Sequence, residues 1–220
     1  MKLSKETQAI FKNFASINAN LLLREGNQLS TMSENKTIIS EVTVTEQFPQ
    51  NFGIYDVNEF LGVLSLFNDP ELSFDNDVVI IKEGKNQIRY KAAEEATLKT
   101  PSKTIQFPEA EINFPLSAGD LEHIIKSAGV LKVSDVSFIG KDGKLTALVV
   151  DKKNPLTNKF EIELGSTDKT FQANMKIENF KMVAGAYNVS IAKMKISRFK
   201  ATSSNLIYYI AVESDSTSAE

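Results

Sequence analysis

TLKTPSKTIQFPEAEINFPL, residues 97–116, holds three of the chain's six prolines: Pro101, Pro108 and Pro115. Proline fixes its own φ and pushes the residue before it toward extended backbone. The apolar residues Ile105, Phe107, Ile112 and Phe114 come one at a time between polar and charged ones. The stretch reads as a long extended connector near the middle of 220 residues. The same order of elements lies on either side of it. The chain therefore reads as two similar half-chains, about 1–106 and 107–220, joined by a strap at about 97–116.

Upstream of the strap, Ser4 is placed to cap a helix running to about Ile17. Leu3, Ile10, Phe14 and Ile17 recur at three-to-four spacing, with Thr7 in the same row. At about 100° per residue, Lys5 and Lys12 fall almost opposite that row. The outer face is basic and polar, with Glu6 at its flank. The plain alternative is an ordinary solvated face. Strand-like runs follow at 19–24, 28–33, 37–45 and 52–55, separated by Gly26-Asn27 and Glu34-Asn35-Lys36 turns. Asp56 then caps a second helix, expected over 57–67, with Glu59 in a capping-box position. Its apolar side is Val57, Phe60, Leu61, Leu64 and Phe67. Its polar side carries no base. Asn68-Asp69-Pro70 stops it, and strands are expected at 71–75, 78–83 and 87–92.

Downstream, Ser117 caps a helix expected to end at Gly129, with Leu121, Ile124, Ile125 and Ala128 on its apolar side. His123 and Lys126 lie roughly 150° from the centre of that side. For His123 the alternative is a surface polar residue with no special role. Strands are expected at 133–140 and 144–152 across the Lys141-Asp142-Gly143 hairpin turn. Others are expected at 160–165 (after a turn at 154–158) and 170–174. MKIENFKMV, residues 175–183, reads as a short fourth helix carrying Lys176 and Lys181. Strands at 187–192, 195–201 and 206–212 complete the chain before a polar, loose tail at 214–220.

Each half thus runs helix, strands, helix, strands. The match lies in element order, with an offset of 113 between the helices after Ser4 and Ser117. Short strands with turn-rich spacing point to an α+β fold with antiparallel sheets and helices on one face. Open sheet edges at the two ends need partners. Head-to-tail pairing with identical chains closes a ring if the rotation permits.

Composition sets the bounds. Apolar content of 42% and charge of 24% suit a globular protein with a core. No run approaches the ~18 apolar residues of a membrane span, and the N-terminus lacks the apolar block of a secretion signal. An intracellular location and no membrane partner are expected. Cysteine is absent, which removes disulfides, thiolate metal sites and a cysteine nucleophile. The single histidine, His123, argues against histidine-based catalysis and histidine-rich metal sites. There is no G-x-x-x-x-G-K-S/T and no G-x-G-x-x-G. The acid pairs Glu94-Glu95 and Glu161 with Glu163 have no partner to shift their ionisation. Asp75 and Asp77 flank Asn76 as turn residues. No enzyme, cofactor or metal is expected. A net charge of −3 means that any contact with nucleic acid rests on where the lysines sit.

Three segments carry a resemblance. MKLSKETQAIFKNFASIN (1–18), IYDVNEFLGVLSLFND (54–69) and VESDST (212–217) resemble the sliding clamps of T4-type bacteriophages, the DNA polymerase processivity factors. The resemblance implies two processivity-fold domains per subunit, helices on the inner face, and three subunits in a ring around duplex DNA. It implies as partners the phage DNA polymerase, an ATP-driven clamp loader, and a sigma-like late-transcription factor with its coactivator. It implies a DNA channel lined by Lys5, Lys12, His123 and Lys126, with Lys176 and Lys181 added. It also implies an apolar pocket for partner peptides beside the connector, at Leu98, Ile105, Phe107 and Val212. The alternative for these four is that they pin the strap to the sheets. The physics suits a sliding tether: encirclement is topological, so a modest basic lining can steer the duplex without gripping it. A competing class is a structural phage protein, a tail or baseplate β-domain with added helices, which binds a virion protein and forms no ring on DNA.

Overall fold

A computed structural model describes residues 1–102, 105–154, 156–193 and 195–217. Parts of the expected connector (103–104), of the 154–158 turn (155) and of the tail (218–220) lie outside the described residues. The chain divides into two compact units, Met1–Thr104 and Ile105–Glu220.

The first unit opens with α1 (Lys5–Ile17), then β1 (Leu21–Leu23), β2 (Gly26–Met32), β3 (Ile38–Phe48), β4 (Phe52–Ile54), α2 (Val57–Leu64), β5 (Glu71–Asp75), β6 (Val78–Glu83) and β7 (Asn86–Lys91). Ser4 caps α1 by accepting from the Thr7 N–H at 3.1 Å. The buried stripe of α1 is Thr7, Phe11, Phe14 and Ile17. Phe11 is fully buried where the sequence reading had Ile10, which is half-buried. Asp56 caps α2 through the N–H groups of Asn58 and Glu59, at 2.8 and 3.3 Å. That helix ends at Leu64, short of the expected Phe67. Leu66 and Phe67 bond three residues back, to Val63 and Leu64, so the last turn tightens to 3-10 geometry. β2 pairs with β3, β1 with β4, and β6 lies between β5 and β7. Phe11 meets Phe60 of α2 at 6.3 Å between ring centres, and Phe60 meets Tyr90 of β7 at 5.1 Å. The helix pair is thereby seated over a sheet.

The second unit runs β8 (Ala110–Leu116), α3 (Ala118–Leu131), β9 (Asp135–Lys141), β10 (Lys144–Val150), β11 (Phe160–Ser166), β12 (Phe171–Lys176), β13 (Tyr187–Ala192), β14 (Ile196–Ala201) and β15 (Ile207–Ala211). One sheet has the order β11-β10-β9-β12, and the other runs β15-β14-β13-β8. β8 turns the end of the expected strap into a sheet strand. α3 passes straight through Gly129 and ends at Lys132, which takes the left-handed conformation at φ 56°. The Val133 N–H then bonds the Ala128 carbonyl at 3.1 Å, closing a Schellman-type end without glycine.

The expected fourth helix does not form. Met175 and Lys176 are claimed by β12, opposite Val136 and Asp135 of β9. Only a 3-10 turn, Ile177–Asn179, follows. The backbone beyond it is pinned at Val183, whose N–H donates to the Tyr208 hydroxyl and whose carbonyl accepts from that of Tyr187. Lys176 and Lys181 therefore share no helix face.

The repeat is visible in the ladders. Within each unit every ladder is antiparallel. β8 precedes α3 and edges β13-β14-β15. In the first unit Met1 precedes α1 and exchanges both backbone bonds with Leu72 of β5, at 2.8 and 2.7 Å. It thus sits at the edge of β5-β6-β7 as β8 does in its own sheet.

Candidate nucleic-acid interface and connector surface

The outer face of α1 is Lys5, Ala9, Lys12 and Ser16, all exposed. Spacing of four, three and four puts them in one row. The outer face of α3 repeats that spacing with Gly119, His123, Lys126 and Val130, again all exposed. Each unit thus turns one row with basic residues toward solvent, opposite its buried stripe. Among the described residues Lys5 and Lys12 enter no ion pair. Lys126 does: its Nζ lies 2.5 Å from the Glu122 carboxylate one turn back. The hydrogen bond from Lys126 and then its charge hold the Glu122 carboxyl below the usual range. Both side chains are exposed, so the pair adds little to stability but offsets part of the positive charge of α3. α2 turns Asn58, Glu59, Gly62 and Ser65 outward and adds no base.

The start of α1 is held from below by Glu46 of β3. This carboxylate is buried and accepts from the Ser4 N–H and the Thr7 hydroxyl, both at 2.6 Å. Burial pushes its pKa up, but the hydrogen bonds from Thr7 and Ser4 outweigh that and leave it below the ordinary range. A negative charge under a helix N-terminus also meets the positive end of the helix dipole.

Lys176 is otherwise employed. Its Nζ lies 2.5 Å from Asp135, a carboxylate only 1% exposed that also accepts from the Ser134 hydroxyl at 2.7 Å. Burial raises the Asp135 pKa; the bonds from Lys176 and Ser134 more than reverse it. Lys181 is exposed, on the pinned segment that leads to β13.

Of the four residues expected beside the connector, Leu98 belongs to the first unit and Ile105, Phe107 and Val212 to the second. Leu98 is half-buried against Gly53 of β4, where a Cβ would come within 3.0 Å of its methyl group and 2.3 Å of the Ala93 carbonyl. Glycine is needed there for that close approach. The connector's first part is tied down by Asn18, whose Nδ2 donates to the Lys99 carbonyl at 2.7 Å, and by Arg24, which donates to the Pro101 carbonyl at 3.0 Å. Phe107 is half-buried between Tyr209, 6.1 Å away ring to ring, and Arg198, whose guanidinium lies 4.6 Å from the ring centre. Ile105 is half-buried and Val212 is buried at 7% exposure. The sequence reading missed Arg198 and Tyr209. The alternation of β14 carried the only signal: Arg198 stands between two inward residues, Ser197 and Phe199, which are both fully buried.

Among the described residues no group of three or more His, Cys, Asp or Glu side chains could hold a metal ion. No helix among them is long and apolar enough to cross a membrane.

Comparison with known proteins covers both units. Residues 4–100 match the family described as DNA polymerase processivity factor. Residues 113–214 match the family described as gp45 sliding clamp, C terminal. The chain is 36% identical to the sliding clamp of Escherichia phage RB69 over 228 aligned residues, covering 99% of both chains. It is 34% identical to the sliding clamp of Enterobacteria phage T4, again over 99% of each. Solved structures with the same fold include PCNA from Thermococcus kodakaraensis, with a TM-score of 0.69 at 14% identity over 95% of this chain and 96% of that one. The Helicobacter pylori beta clamp bound to a DNA ligase peptide gives a TM-score of 0.73 at 12% identity, over 97% of this chain and 65% of that one.

Proposed function

The chain belongs to the sliding-clamp family of T4-type bacteriophages, and on that premise we propose that copies of it close head to tail into a ring around duplex DNA and tether the phage DNA polymerase to its template. Three subunits make the ring, each contributing two clamp domains, about 1–106 and 107–220, with the connector at 97–116. An ATP-driven loader opens the ring and places it. The loaded ring also serves late transcription through a sigma-like factor and a coactivator.

The observation that carries this reading is the repeated outward row: Lys5 and Lys12 on α1, His123 and Lys126 on α3, each opposite a buried stripe. Turned toward the duplex, these rows give a thin positive lining on a chain of net charge −3. Few phosphate contacts mean weak hold and easy sliding, which a tether requires. Lys181 belongs at most to the rim of this lining. Lys176 is left out, because its charge is spent on Asp135. Partner peptides take apolar contacts at the half-buried residues Leu98, Ile105 and Phe107 and near Val212 on the last strand.

Primer extension tests the reading. With loader and ATP, the wild-type chain should lengthen polymerase products on a primed template, and light scattering should give a mass near three times 24.4 kDa. Changing Lys5, Lys12 and Lys126 together to alanine should slow loading and shorten products while leaving that mass unchanged. Unchanged loading by this variant would remove the lysines from the channel; a lasting monomer would remove the ring.

A further inference from the structure

Residues 213–217, where a loose tail was expected to begin, lie along the outer edge of β12. The backbone groups of Gln172 and Asn174 that face away from β9 all end on this segment. Their carbonyls accept from the Thr217 and Glu213 N–H groups, at 2.9 and 2.8 Å. Their own N–H groups meet no carbonyl: they donate to the hydroxyls of Thr217 and Ser216, at 2.8 and 2.9 Å. The fit is that of a substitute strand. Gln172 and Asn174 are two residues apart, yet Glu213 and Thr217 opposite them are four apart. A turn closed by the Ser216 N–H on the Glu213 carbonyl takes up the difference. The corresponding place in the first unit, beside β4, is filled backbone to backbone, with the Ala93 N–H on the Gly53 carbonyl at 2.9 Å. The rest of the hold on 213–217 is polar. Asn174, 1% exposed, donates to the Asp215 carbonyl and carboxylate at 3.3 and 3.1 Å, and the Ser137 hydroxyl fixes its Oδ1 at 2.6 Å. Lys152 pairs with the Asp215 carboxylate, and Lys195 donates to the Ser216 carbonyl. From Glu213 to Thr217 there is no apolar side chain to bury.

We propose that residues 213–217 are a displaceable strap, and that the β12 edge beneath them takes an extended acidic peptide of a partner protein as an added strand. The site lies within one unit and stands whether or not copies close into a ring. Three features choose this occupant. An extended strand offers backbone carbonyls to both the Gln172 and the Asn174 N–H, where the strap offers hydroxyls and a bulge. Lys152 and Lys195 are already placed to receive a carboxylate and a carbonyl, so a peptide with an acid in the place of Asp215 meets them without rearrangement. A basic peptide would set like charge against both lysines. The strap is held by hydrogen bonds of modest net worth and by an ion pair at the exposed Asp215, so a bound peptide can offset its release. At rest it covers an edge that would otherwise pair with any open strand. It also lowers the apparent affinity for the peptide by the fraction of chains in which it is released.

Strap release and peptide binding are both measured on the full chain. Asp215→Ala, Ser216→Ala and Thr217→Ala together remove the side-chain contacts of the strap and keep its length. Amide exchange at Gln172 and Asn174 should quicken about tenfold or more. Exchange at Ala173 and Met175, on the β9 side of the same strand, should stay as it was, which shows the sheet intact. The probe is a labelled, capped Val-Asp-Val-Asp-Val peptide followed by fluorescence polarisation, with Val-Lys-Val-Lys-Val as its control. The triple variant should bind the acidic probe more tightly than the wild type, by the same factor as the gain in exchange. It should not bind the basic one. Adding Lys152→Ala and Lys195→Ala should abolish the gain in binding and leave the exchange fast. Faster exchange without tighter binding, equal binding of the two probes, or self-association of the variant in place of peptide binding would overturn the proposal. Unchanged exchange at Gln172 and Asn174 would overturn it too, since the strap would then not be held by these groups. A wild-type chain that stays monomeric would overturn the ring reading and leave this one standing.

Discussion

Asp135 and Lys176 show how much a single side chain's surroundings decide. In the string MKIENFKMV, Lys176 looks like a surface lysine on a helix. Its actual partner lies 41 residues earlier, a carboxylate 1% exposed, and no local pattern encodes that. Lys176→Met should cost about 3–5 kcal/mol, because it leaves a buried charge unpaired. Lys12→Met, at an exposed lysine that enters no ion pair among the described residues, should cost close to nothing, and urea unfolding of both variants compares them. Glu46 and Asp135 set a pH dependence. Each carboxyl holds its proton less readily in the folded chain than unfolded. Their contribution is therefore full above the ordinary carboxylate range, about pH 4, and is lost as pH falls through and below it. Melting temperature should drop on acidification, and Glu46→Gln with Asp135→Asn should flatten that drop while lowering stability at neutral pH. At this scale the sequence is half legible. Ser4, Asp56 and Ser117 announce themselves as caps by residue type and place. Phe11 does not, because Ile10 beside it fits the same apolar period.

At the scale of elements, the three helices and most strands were readable because capping, period and turn residues agreed. The exceptions share a cause: longer-range pairing overrode local preference. Residues 175–183 have helical spacing, yet β9 recruits the first two and the Tyr187 and Tyr208 hydroxyls fix the rest. The strap's end became β8 because β13 offered it an edge, with Phe114 opposite Val189 and Leu116 opposite Tyr187. The outer rows of α1 and α3 followed from the helical wheel, but the strength of the second did not. Glu122 sits one turn from Lys126 and spends part of its charge. Glu122→Gln should therefore strengthen DNA association of the loaded chain and steepen its salt dependence. Lys126→Ala should matter less than Lys5→Ala or Lys12→Ala. Association rates over a salt series measure all four; an effect of Lys126→Ala larger than that of Lys12→Ala would contradict the ranking.

For the whole molecule, the expected doubled order holds only in part: the first unit has a helix on either side of β1–β4, whereas the second unit has a 3-10 turn, Ile177–Asn179, where its second helix was expected. Met1 with β5 matches β8 with β13, so each unit carries the same edge-strand device despite slight identity between halves. The account holds that copies enclose the duplex and are kept on it by topology, with lysines too few to grip. The most direct measurement loads the chain onto nicked circular DNA, raises the salt until lone phosphate contacts fail, and then cuts the circle once. The account predicts retention on the circle and prompt loss from the cut, linear form. Equal retention on both would show that the chain holds DNA by contact rather than by enclosure, and would contradict it.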